Sequence, residues 1–355
     1  MNYNNNPYTL MFGESPSQLI ARPTETAQLI QAFCKQEQPQ KIYMITGIRG
    51  SGKTVLMSEV SKKISSLQDW IVVELNPERD LLQALAAKLS SHERLAALFH
   101  EAKINLSFFG LSAEIKGTAP IRDIETALSR MLKTLHQKGK RVLVTIDEVT
   151  SNEHVRVFAA AFQILIRQNL PLFLLMTGLY ENIYKLQNEP SLTFLYRAPK
   201  IELGPLNLGT IASNYRRNMT LEPDRAREMA QLTCGYSFAF QVLGFYTWEH
   251  DGMYEEALDE YRQYLEDYVY DKIWSELSAK DRALAYAVAV STSGKVAEIL
   301  QKLGIENSQL SPYRKRLIRK GVLDGSQFGY LRFTLPLFGD YVQDVYPLDE
   351  MNVFG

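Results

Sequence analysis

The sequence predicts an α/β fold in three parts: a mostly parallel sheet covered on both faces over residues 1–205, a helical unit over 206–274, and a three-helix module with a β-wing over 275–355. The first part is indicated by short apolar runs at 41–46, 70–75, 141–146, 171–177 and 199–203, which alternate with helical patterns. The second is indicated by the loss of strand signals after Gly204-Pro205-Leu206, where helical periodicity takes over at 208–219, 222–233, 237–249 and 253–273. The third rests on helices at 281–290, 295–302 and 308–320, followed by two strand-like runs around a glycine-bearing turn, Leu323 to Thr334.

A polar lead-in marked by Pro7, Pro16 and Pro23 precedes a helix predicted from Glu25 to Lys35. The first strand then runs into Gly47-Ile48-Arg49-Gly50-Ser51-Gly52-Lys53-Thr54, and a helical pattern begins at Val55. This is a complete G-x-x-x-x-G-K-[ST] phosphate loop in its strand-loop-helix context, and it assigns the first part to the α/β P-loop NTPase class. Its glycines let backbone N–H groups turn inward around the phosphates, and the following helix adds the positive end of its dipole. Lys53 supplies a point charge, and the Thr54 hydroxyl is suited to ligating Mg²⁺.

The run Arg141 to Ile146 is an apolar strand of the buried parallel type, and it ends in Asp147 and Glu148. This is a Walker B pattern. Asp147 is expected to hold Mg²⁺ through its water shell, and Glu148 to orient and deprotonate an attacking water. Between the second and third strands, Ile104 to Ile115 alternates partly with period two around Gly110 and predicts a β-hairpin insertion near 103–117, with Phe108 and Phe109 at its tip. Phe158 to Met176 is broken by Arg167, Gln168 and Asn169 and reads as helix, turn and buried strand.

Composition narrows the function classes. The 355 residues carry a formal net charge of −1, so any attraction to nucleic acid must be local. Cys34 and Cys234 are far apart and lack metal-ligand spacing, which predicts neither disulfides nor a zinc site and fits a reducing cytoplasm. The start lacks a basic, apolar leader pattern and no run approaches a membrane span, so no membrane role is expected.

These motifs resemble the AAA+ ATPases of the origin-recognition (Orc1/Cdc6-like) and STAND branches, bacterial and archaeal ATP-binding proteins with a C-terminal winged helix. The resemblance spans nearly the whole chain and implies a parallel sheet of order 5-1-4-3-2. Asn6-Pro7-Tyr8 through Gly13 and Pro16 to Arg22 and Glu25 is similar to the family's segment that wraps the adenine, with Ala21 where a glycine is usual. By the same resemblance Thr177 falls at the sensor-1 position, and Arg197 where an arginine finger or in-chain sensor stands. The segment Thr233 to Gly244 resembles the lid helix start but has Ser237 in place of proline and no sensor-2 arginine near Gly235. That departure implies slow turnover and nucleotide-state signalling.

The third helix of the C-terminal module brings together Arg314, Lys315, Arg316, Arg319 and Lys320, and the module has an excess of basic over acidic residues. With Tyr330 and Arg332 on the wing, this predicts a face contacting DNA phosphates. The expectation is an ATPase that binds Mg·ATP between the α/β part and the lid and couples nucleotide state to DNA. The alternatives are a nucleotide-controlled adaptor whose winged helix grips a protein, or a loader acting with a partner encoded nearby. Arg197 is equally compatible with a homo-oligomer or with action inside one chain.

Overall fold

The computed structural model describes residues 6–10, 18–37 and 39–346. The chain divides into an α/β unit, residues 22–46 and 53–202, and a helical unit that gathers 1–21, 47–52 and 203–355. Gly13 and Pro16 of the N-terminal resemblance lie outside the described residues.

The α/β unit follows the alternation of the sequence: α1 (Pro23–Cys34), β1 (Ile42–Thr46), α2 (Lys53–Ser65), β2 (Trp70–Leu75), α3 (Leu81–Ser91), α4 (Glu93–Glu101), α5 (Ile124–Gln137), β3 (Arg141–Ile146), α6 (Glu153–Arg167), β4 (Leu172–Gly178), α7 (Tyr180–Gln187) and β5 (Lys200–Glu202). The five strands lie in the order β2-β3-β4-β1-β5, and every pairing is parallel. This is the expected 5-1-4-3-2 order. Strands β1 and β4 are buried along their full lengths, as a sheet covered on both faces requires. Leu128, Met131, Leu132 and Leu135 of α5 and Phe158 and Phe162 of α6 belong to the same apolar core as β3 and β4.

The hairpin expected near 103–117 is absent. The segment makes one 3-10 turn, Ser107–Phe109, closed by Gly110 at φ 68°. The period-two signal is nonetheless physical: Ile104 and Leu106 both enter the core, with Ile121 beside them in sequence order further on. Their backbone is satisfied locally instead of by a partner strand. Buried Asn105 donates to the Thr118 carbonyl at 2.7 Å and accepts from Ser107 N–H at 3.1 Å, and its own carbonyl accepts from Ile121 N–H at 3.0 Å. Phe109 packs onto the core edge, while Phe108 is exposed.

The helical unit comprises α8 (Leu208–Met219), α9 (Pro223–Leu232), α10 (Ser237–Glu249), α11 (Leu258–Leu265), α12 (Asp271–Ser275), α13 (Ala279–Ala289), α14 (Val296–Leu303), α15 (Asn307–Arg319), the two-stranded antiparallel pair β6 (Leu323–Asp324) and β7 (Arg332–Phe333), and α16 (Phe338–Val345). A π-helical turn, Glu266–Tyr270, joins α11 to α12, so the single helix expected over 253–273 is interrupted. Segments 206–274 and 275–346 share one hydrophobic cluster, from Leu206 and Tyr215 through Leu284 and Leu317 to Tyr346. Tyr8 belongs to it as well. Its phenol donates to Asn214 at 3.0 Å, and a Cβ placed on Gly244 would stand 2.6 Å from its ring, which is why α10 carries glycine there. Burial pushes the Tyr8 hydroxyl up to about 12. Among the described residues, no helix is long and apolar enough to cross a membrane.

Candidate phosphate and magnesium site

In a parallel sheet the carboxyl ends of the strands share one edge, and the candidate site residues of the α/β unit collect there. The register pairs Ile146 with Met176, so Asp147 leaves β3 beside Thr177 of β4. The Thr177 hydroxyl donates to Asp147 Oδ1, and Thr54 Oγ1 at the start of α2 donates to Asp147 Oδ2 at 2.8 Å. Glu148 follows with its backbone in the left-handed region, φ 50°, and its N–H donates to Thr177 Oγ1 at 3.1 Å. A left-handed glutamate is strained, and here two hydrogen bonds compensate: the same N–H also reaches Asp147 Oδ1 at 3.1 Å. Val149 N–H completes the bracket by donating to the Thr177 carbonyl at 2.8 Å. Lys53, Thr54, Asp147, Glu148 and Thr177 therefore occupy one edge of the unit, with Lys53 buried and the Glu148 side chain exposed.

The glycine-rich loop 47–52 makes its contacts within the helical unit. The Tyr236 hydroxyl donates to the Arg49 carbonyl at 2.6 Å, and Phe238 N–H donates to the Gly50 carbonyl at 3.1 Å. Burial holds the Tyr236 phenol far above its ordinary value, with Arg49 opposing, so it stays a neutral donor. Arg49 Nη2 lies 3.3 Å from Glu276 Oε1. Gly50 and Gly52 have φ of 73° and 90°, and a Cβ on Gly50 would sit 2.3 Å from the Tyr236 oxygen. Glycine at 50 is thus required twice, by backbone conformation and by the close approach of Tyr236 and Phe238. Within the loop itself, Ser51 N–H donates to the Ile48 carbonyl at 3.2 Å. Tyr236, Phe238 and Glu276 were not legible as partners of this loop, because no spacing rule links positions so far apart.

Residues 18–175 match the AAA ATPase domain family, and residues 267–342 match a domain of unknown function. The α/β unit has the AAA+ P-loop fold, and most of it lies within the first match. The fold is shared with the Walker-type ATPase PABY2304 of Pyrococcus abyssi, at 16% identity over 91% of this chain and 96% of that one, TM-score 0.63. It is shared also with the ORC2 protein of Aeropyrum pernix, solved as ADPNP-ADP complexes, at 14% identity over 96% of each chain, TM-score 0.60. Identities this low speak to the fold alone. No curated protein matches the sequence.

Within the AAA+ domain, Arg22 stands just before α1, mostly buried and 3.6 Å from Glu25. Burial pulls its guanidinium below the ordinary arginine value, and Glu25 partly restores it. Arg197 ends the 3-10 segment Pro190–Arg197 and is exposed beside Tyr196, which is 72% exposed.

In the C-terminal part, the predicted basic face is only partly available. Arg316 turns back onto α13, its Nε and Nη2 bonding Asp281 Oδ1 at 2.9 and 2.7 Å and its Nη2 reaching Ser278 Oγ at 2.9 Å. Asp281 is buried and already forms the capping box of α13 with Ser278, so Arg316 serves as its counter-charge. Lys320 donates to the Glu276 carbonyl at 3.1 Å. Lys315, Arg319 and Arg332 are exposed, and Arg314 and Tyr330 are half-buried.

Proposed function

We propose that the protein binds and slowly hydrolyses Mg·ATP and that nucleotide state controls duplex DNA binding through a C-terminal winged helix. The observation that carries the first half is the convergence of the Thr54 and Thr177 hydroxyls on Asp147. Two oxygen donors, a hydroxyl and a carboxylate, fit magnesium, which takes few protein ligands and keeps several waters. When bound, Mg²⁺ neutralises charge on the phosphate oxygens. In this reading Lys53 and the loop N–H groups, with Val55 opening the next turn, hold the phosphates. Glu148 accepts the proton of the attacking water, and Thr177 fixes the positions of Asp147 and the Glu148 backbone. Arg197 is exposed, as a finger reaching a second copy must be, and Arg22 borders the nucleotide.

The second half is supported by the grip of Tyr236, Phe238 and Glu276 on loop 47–52, and by the exposed Lys315, Arg319 and Arg332. One observation favours the alternative of a switch whose winged helix binds a protein: no arginine occurs between Thr233 and Gly244, where a motor-like lid would place one. The salt dependence of binding separates the two, because phosphate contacts weaken steeply as salt rises. The nucleotide assignment is tested with Lys53→Ala and Glu148→Gln. Lys53→Ala is expected to lose most ATP affinity, whereas Glu148→Gln is expected to bind ATP and fail to hydrolyse it. Wild-type turnover in both variants contradicts the assignment.

A further inference from the structure

Phe328 is 98% exposed, the most exposed large apolar side chain among the described residues. The backbone puts it there. Tyr330 N–H donates to the Gln327 carbonyl at 3.1 Å, and Gly329 has φ 80°, so residues 327–330 form a turn with glycine in the left-handed third position and Phe328 in the second. That second position projects away from the strands it joins. The turn is held on both sides. Asp324 accepts from Ser326 N–H and Oγ, each at 2.9 Å. On the other side, Val296 N–H donates to the Gly329 carbonyl at 2.9 Å and Leu331 N–H to the Gly294 carbonyl at 2.8 Å. An aromatic ring on a braced tip loses little conformational freedom on contact, which favours binding.

The surroundings select the partner. Lys295 pairs directly with Tyr330, so the two share a face, and Arg332 two residues on returns to that face by strand alternation. Lys295 and Arg332 are both exposed. Asp324 stands opposite Arg332, with its carboxylate engaged by Ser326. The tip therefore presents an aromatic ring with two cations behind it, a combination matched by stacked bases lying between phosphate strands.

We propose that Phe328 is an apolar wedge that enters the base stack of duplex DNA, with Lys295 and Arg332 bonding the flanking phosphates. The inference rests on the DNA-binding reading above and adds a mode of contact to it. Side chains of this kind partly unstack a base step and bend the duplex.

The test compares the wild-type chain with Phe328→Ala on a duplex carrying 2-aminopurine, whose fluorescence rises on unstacking. An exposed side chain can be removed without unfolding the protein, so folding does not confound the result. Wild type is expected to raise the fluorescence. Phe328→Ala is expected to bind about tenfold more weakly, in line with base–aromatic stacking, and to leave the fluorescence unchanged with the salt slope intact. Lys295→Ala and Arg332→Ala should each reduce that slope by about one. Equal affinity and equal fluorescence for wild type and Phe328→Ala would overturn the wedge alone. No binding by either protein at low salt would overturn the DNA reading and the wedge with it.

Discussion

The Arg49 guanidinium, inside the glycine-rich loop, lies 3.3 Å from the Glu276 carboxylate just past the end of α12. The Glu276 carbonyl accepts from Lys320, which caps α15, so one residue touches both the phosphate loop and the basic helix. Gly321, the next residue, would bring a Cβ to 3.4 Å from that of Ile48. A loop tied to the C-terminal helices in this way can report its own rearrangement to them. Removing the tie should uncouple the proposed nucleotide and DNA binding.

Arg49→Ala is therefore expected to retain ATP binding while the ATP-dependent change in DNA affinity shrinks severalfold. Both partners of this ion pair are more than a third exposed, and such pairs contribute about 0–1 kcal/mol. The melting temperature should consequently move by no more than about 3 °C. DNA binding titrations with and without ATP check this, and a coupling identical to wild type would refute the role.

Thr177→Val keeps the shape of the side chain and removes the hydroxyl that joins Asp147 to the Glu148 N–H. Turnover is expected to fall by about 10- to 100-fold, the loss of one or two hydrogen bonds to a charged site, with ATP affinity nearly unchanged. Thr177→Ser should restore most of it. A purely structural role would instead lower stability in both variants and leave turnover per folded molecule alone.

Much of this was legible because the pattern is local. The motif from Gly47 to Thr54, the strand ending in Asp147-Glu148 and the position of Thr177 all depend on neighbours in sequence or on adjacent strands. The segment around Gly110 misled because Ile104 and Leu106 alternate into the core while Asn105, not a second strand, satisfies the backbone. Arg316 misled because a helical run of cations does not reveal which one faces a buried carboxylate two helices back. Glu276 and Tyr236 were invisible as loop contacts for the same reason: their partners are set by the tertiary fold, and no residue type announces them.

Gly244→Ala should destabilise the helical unit, since the added Cβ meets the Tyr8 ring at 2.6 Å and neither neighbour can retreat from a buried site. Overpacking of this kind costs about 1–3 kcal/mol. Pairing it with Tyr8→Leu should make the combined loss smaller than the sum of the two, as read by urea unfolding. Full additivity would show that the contact is relaxed in solution.

Lys41 provides a pH test in the AAA+ domain. Its ammonium donates to the Leu170 carbonyl at 3.2 Å and lies 4.2 Å from the centre of the Phe173 ring, yet burial, with Arg141 nearby, lowers it to about 8. The folded state then binds fewer protons than the unfolded state between about pH 8 and the ordinary lysine value, so stability from this group rises with pH across that window. Any advantage of Lys41→Met over wild type should be largest below pH 8 and diminish above it. A difference independent of pH from 7 to 10 would contradict the shift.

The central claim is tested most directly by ATP turnover of the purified protein with and without duplex DNA, using Glu148→Gln to exclude a contaminating ATPase. The account predicts slow turnover alone, a severalfold rise with duplex, and loss of both in Glu148→Gln. Turnover that is indifferent to DNA, or that survives in Glu148→Gln, would contradict it.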